Sequence, residues 1–124
     1  VKWFIEEPGS DAAEAVLEEI LRRGSEHVVP ELFFFEVLAV CARRHPSPVD
    51  FAEVDLPFLL SLPLGRTPMT APLAAQAMRL TARGLSGCDA AYAALAREIE
   101  GEWLTFDAKA AAQLGSPGWV RVLG

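Results

Sequence analysis

The sequence predicts an α/β fold in which a small parallel sheet is flanked by helices, and three observations carry that prediction. Short segments rich in Val, Trp, Leu and Phe, at 26–29, 103–106 and 119–123, alternate with longer stretches of helical periodicity. Strands separated by helices pair in parallel, since a parallel pair needs a long crossover and a helix commonly supplies it. Acids also stand where elements meet, Asp89 opening a helix and Asp107 following a strand, and ligands in open α/β sheets collect beyond the carboxyl ends of the strands.

With 124 residues the chain reads as a single domain, 1–124, long enough to bury a sizeable core. Hydrophobic residues make up 52% and charged residues 23%, which excludes a disordered tail. No apolar run approaches the ~20 residues that span a bilayer, and no basic leader with a cleavage site is visible, so a cytoplasmic location is expected. The net charge of −6 argues against gripping nucleic acid by bulk electrostatics. It suits carboxylates offset by bound cations, or a basic protein partner. Cys41 and Cys88 form no metal spacing and are expected to be reduced.

The chain begins at Val1 without a methionine and enters at once into the apolar stretch 1–5, which reads as the tail of something already under way. Residues 6–10 read as a turn. Asp11 with Glu14 makes a capping-box-like helix start, Val16, Leu17, Ile20 and Leu21 form an amphipathic stripe, and Gly24 is the stop. A strand is expected over 26–29, with Pro30 opening the next helix at its first position. From 31 to 44 nearly every residue is apolar, so this helix is expected to be buried on most sides. Phe33, Phe34 and Phe35 point about 100° apart, so one core face cannot hold all three. Either the helix is sandwiched within one fold, or a second surface meets a homodimer mate or another partner.

Helical patterns follow over 49–54 and around 58–62, with Pro57 expected to kink or divide them. Residues 64–68 read as a loop. Thr70 caps a helix that runs to Gly84, Ser86 caps the helix carrying Asp89, and Gly101 lies just past its end. A short helix over 107–114 leads to the last strand.

Three acids are the candidates for chemistry. Glu36 lies inside the apolar helix with no basic group within one turn, where an unpaired carboxylate costs several kcal/mol. It falls either on an exposed stripe or in a polar cleft that holds a cation. Asp89 and Asp107 each have a competing reading, as capping or turn residues. Carboxylates without a His or Cys cluster suit Mg²⁺ or Mn²⁺ rather than zinc. Thr105, two residues before Asp107, is placed to hold a metal-bound water or to hydrogen-bond locally.

These residues bring a resemblance with them. Val1-Lys2-Trp3-Phe4, Val29-Pro30-Glu31-Leu32, Phe35-Glu36-Val37, Gly84-Leu85-Ser86 with Asp89-Ala90-Ala91-Tyr92, and Thr105-Phe106-Asp107 resemble the motif order of PIN-domain ribonucleases, particularly the VapC-type toxins of toxin–antitoxin pairs. The resemblance implies a three-layer PIN-like fold and metal-dependent endoribonuclease chemistry on RNA. It also implies restraint by a cognate antitoxin protein, and often a homodimer. By position it makes Glu36, Asp89 and Asp107 the catalytic, metal-binding acids and Thr105 their support. The family's first, central strand and its Asp precede the Val-Lys-Trp-Phe segment, so both are expected to be missing from this chain. Either the natural N-terminus lies upstream of Val1 or the copy is crippled, and the absent methionine favours the former. Ala39 also stands where many relatives carry Asn. The alternative function is a catalytically inactive PIN-like module that binds RNA or protein.

Overall fold

The computed structural model describes residues 9–23 and 26–124. The apolar start at 1–5, most of the following turn and the Gly24 stop lie outside the described residues. The chain divides into two compact units, Val1–Arg66 with Gly124 and Thr67–Leu123.

In the first unit, helix α1 spans Ser10–Arg23. It starts one residue before the expected cap, so Asp11 sits in the first turn, where its charge still favours the exposed N–H groups. Ala13 and Ile20 are buried, whereas Leu21, expected on the same stripe, is exposed. Strand β1 covers Val28–Pro30 and pairs with β2, Gly65–Thr67, a segment the sequence reads as a loop. The Gly65 N–H donates to the His27 carbonyl at 2.9 Å. Pro30 therefore ends a strand instead of opening a helix. Its fixed φ suits either position, and the partner strand decides.

Helix α2 spans Leu32–Arg44 and buries Phe34, Val37 and Cys41 on one stripe. The expectation of burial on most sides is corrected: Phe35 is 66% exposed and Leu38 47%. The three consecutive phenylalanines do diverge. Phe34 enters the core, Phe33 packs edge-on against it, and Phe35 faces outward. Beyond the turn, α3 at Pro48–Asp50, a π-helical turn at Phe51–Asp55 and α4 at Leu56–Ser61 follow without a break. Pro57 lacks the N–H that an α-helix would direct at the Glu53 carbonyl, and its ring would crowd that carbonyl. The chain answers by widening just before the proline, where the Leu56 N–H donates to the Phe51 carbonyl five residues back.

The core of this unit joins Phe34, Val37, Cys41, Phe51, Leu59 and Leu62. The Arg66 guanidinium lies 4.4 Å over the Phe34 ring and also donates to the Leu60 carbonyl. His45 closes α2. Its Nδ1 accepts from the Ser47 N–H at 3.0 Å, while Nε2 lies 3.3 Å from Asp55 Oδ2. Burial raises the Cys41 thiol above its ordinary range and the Asp55 carboxylate adds to this, so Cys41 is an uncharged core group at neutral pH. Cys88 is exposed, and the two are not joined in a disulfide.

In the second unit, α5 spans Ala71–Thr81 and α6 spans Gly87–Glu98, packed on each other, with Leu73 and Ala77 the residues α5 buries. Ala90, Ala91, Ala93, Ala94 and Ala96 are all buried, so α6 is enclosed on several sides, including against β3, Trp103–Thr105. The chain leaves α6 through Glu100 at φ 54, and the Gly101 N–H returns to the Ala96 carbonyl at 2.8 Å. Helix α7, Ala108–Gln113, then connects β3 to β4, Val120–Val122. β3 and β4 run parallel in the register Trp103↔Val120, Leu104↔Arg121 and Thr105↔Val122. The expected class, α/β with a small parallel sheet among helices, is the class observed, with the strands in two pairs among the described residues.

Candidate functional site

Asp107 follows the carboxyl end of β3 and is itself the cap of α7: its Oδ1 accepts from the Ala110 N–H at 2.9 Å. Thr105 Oγ1 accepts from the Asp107 N–H at 3.0 Å. Thr105 is held in the ladder, since its carbonyl accepts from the Leu123 N–H at 2.8 Å. Of its two expected roles, the local hydrogen bond is therefore the one observed. The strand fixes the threonine, the threonine fixes the backbone of Asp107, and the carboxylate ends on the surface. A carboxylate has about four lone-pair sites, so one capping bond leaves capacity for a cation.

Asp89 lies in the first turn of α6, half-buried. Ser86 caps this helix as the sequence predicts, with Oγ accepting from the Asp89 N–H at 3.1 Å. The serine satisfies an N–H that would otherwise lack a partner, and the start of the helix favours a negative side chain. Local rules thus place both acids of this unit: one caps α7, and the other sits within a capped turn.

Glu36 belongs to the other unit. It is half-buried on a flank of α2 that it shares with half-buried Leu32 and Val40, outside the core stripe of Phe34, Val37 and Cys41. Neither a fully wet stripe nor a buried charge describes it. Among the described residues, no three His, Cys, Asp or Glu side chains are grouped so as to hold a metal ion. The donors present are carboxylates and a hydroxyl, and as a chemical set they fit a hard divalent cation. Sequence reasoning passed over one contact at this end of the unit, that of Gln113 with Gly84. A glycine ending a helix is visible in a sequence, but the distant side chain resting on it is not.

A parallel strand pair joined by a helix, with an acid at the carboxyl end of one strand and another in a nearby element's capped first turn, defines an α/β protein of the acid-at-strand-end class. Comparison with protein-family models matches the PIN domain over residues 1–114, and the chain belongs to that family. The match spans Glu36, Asp89, Thr105 and Asp107. No curated protein and no solved structure matches the chain. PIN domains are commonly nucleases that use divalent metals, so hydrolase chemistry on nucleic acid is the family-level function. No helix among the described residues is long and apolar enough to cross a membrane.

Proposed function

We propose that this protein is a Mg²⁺- or Mn²⁺-dependent endoribonuclease, the VapC-type toxin of a cytoplasmic toxin–antitoxin pair, with residues 1–124 forming one PIN domain. The observation that carries the reading is the family match over 1–114, which takes in all three acids singled out from the sequence. Glu36, Asp89 and Asp107 hold the cation in this reading, and Thr105 steadies Asp107 through the bond to its N–H. When bound, such a cation activates water and offsets the charge that builds up as a phosphodiester is displaced in line. The protein's own contribution is placement. Two rigidly capped turns present carboxylates that need not be ordered at the moment of binding.

The reading is tested by RNA cleavage with the full-length gene product, with Mg²⁺ or Mn²⁺ and after chelation. Cleavage that survives chelation, or that is unchanged by combining Glu36→Gln with Asp89→Asn, would sink it. A second reading, an inactive PIN-like module that binds RNA or protein, draws on the −6 charge and the outward-facing Phe35. RNA binding without cleavage by the full-length product would favour it.

Phe35 and Leu38 also support the proposed homodimer or the docking of a cognate antitoxin, because both leave apolar surface on α2 in water. For the dimer, the wild-type protein is expected to sediment as two copies and Phe35→Glu as one. Equal sedimentation of the two proteins would remove α2 from any self-association.

A further inference from the structure

We infer that Gln113 is a positioning residue, which by lying on Gly84 fixes α7, and with it Asp107, against the loop leading to Asp89. The inference rests on the metal-site reading above.

Helix α7 has six residues and a length of about 9 Å at ~1.5 Å per residue. A helix this short does not hold itself together in water, so its position is set by what it touches. It buries its own Ala110 and Ala111, with Leu114 buried just past its end. The two alanines are small and offer little to resist sliding or rotation. Asp107 is attached to one end of α7 as its cap, and Gln113 is the last residue at the other.

The Gln113 side chain lies directly on the bare Cα of Gly84. A Cβ built there would stand 2.9 Å from Nε2, 3.4 Å from Cδ and 3.9 Å from Cγ, and all three neighbours belong to Gln113. Gly84 has φ +98, in the region that residues with side chains avoid. The bend after α5 requires the glycine, and the bare Cα lets the far end of the flexible Gln113 side chain settle on it. The Gly84 N–H donates to the Thr81 carbonyl at 3.0 Å, which ties the bend to the end of α5. Two residues further on, Ser86 caps α6 and sets the turn that carries Asp89. One contact thus joins the segment that places Asp89 to the helix that carries Asp107. Shortening Gln113 frees that end of α7 to shift, and the Asp107 carboxylate, bonded to the Ala110 N–H of the same helix, turns with it while Thr105 holds its backbone.

The experiment is calorimetric titration of Mn²⁺ into the full-length gene product, its Gln113→Ala form and its Gln113→Met form, with the Tm of each. Gln113→Ala is expected to weaken Mn²⁺ binding about tenfold, as removal of a group that orients a ligand does. Its Tm stays within about 3 °C, since a half-exposed side chain adds little to stability. Methionine keeps the length and removes the amide, so Gln113→Met retains the wild-type affinity. Wild-type affinity in Gln113→Ala overturns the inference. So does a Gln113→Met form as weak as Gln113→Ala, or an affinity loss that appears only with a large fall in Tm. A wild-type protein that takes up no Mn²⁺ instead overturns the metal-site reading itself, a result distinct from each of these.

Discussion

Replacing Asp107 by serine is expected to leave stability within about 0.5 kcal/mol of the wild type while reducing RNA cleavage on the order of 10²-fold. The two effects separate because Asp107 caps α7 and, in the proposed function, also holds the cation. Its Oδ1 caps α7 through the Ala110 N–H. Serine caps about as well as aspartate, whereas alanine costs about 0.5–2 kcal/mol. Serine nevertheless brings no negative charge to a cation. Asp107→Ala should therefore lose both stability and cleavage, and Asp107→Ser cleavage alone. Denaturant midpoints and initial cleavage rates in Mn²⁺ measure the two quantities independently. If Asp107→Ser cuts RNA at the wild-type rate, Asp107 is a cap and nothing more, and the site loses its strand-end member.

The parts of the molecule legible in the sequence are those governed by neighbouring residues. Ser86 and Thr70 cap the predicted helices because a hydroxyl three residues before an N–H meets that N–H almost regardless of the surrounding fold. The position of Asp107 at a strand-to-helix junction follows from the same local rule. Strand β2 was not legible, since Gly65, Arg66 and Thr67, in the four-residue stretch between Pro63 and Pro68, carry no alternation and become a strand only by pairing with β1, far away in sequence. Pro30 was misassigned for the same reason. Pro57 signalled a disturbance without its form. A π-helical turn just ahead of it keeps Phe51 and Leu59 both in the core, where a kink would have redirected one of them. For the candidate site, the sequence singles out three carboxylates by their settings, but their mutual geometry is a long-range property that no spacing encodes. The Gln113–Gly84 contact is of that same kind.

Leu59→Ala is expected to destabilise the protein by about 3–5 kcal/mol, a large share of the roughly 5–15 kcal/mol that holds a domain folded. Leu59 has 0% exposure and lies among Phe34, Val37, Cys41, Phe51 and Leu62, which come from α2, the π-helical turn and the end of α4. These elements cannot easily collapse on the void, because Pro57 and the widened turn fix how α4 presents its face. The same substitution tests whether residues 1–124 form one domain. Hydrogen exchange at amides of the second unit provides the readout, for instance the Trp103 N–H that donates to the Trp119 carbonyl at 2.8 Å. If the chain unfolds as one cooperative body, Leu59→Ala weakens protection at Trp103 by the same free energy it removes from α2. If Trp103 keeps its wild-type protection while α2 loses its own, the two units fold separately. The proposal of a single PIN domain would then fail.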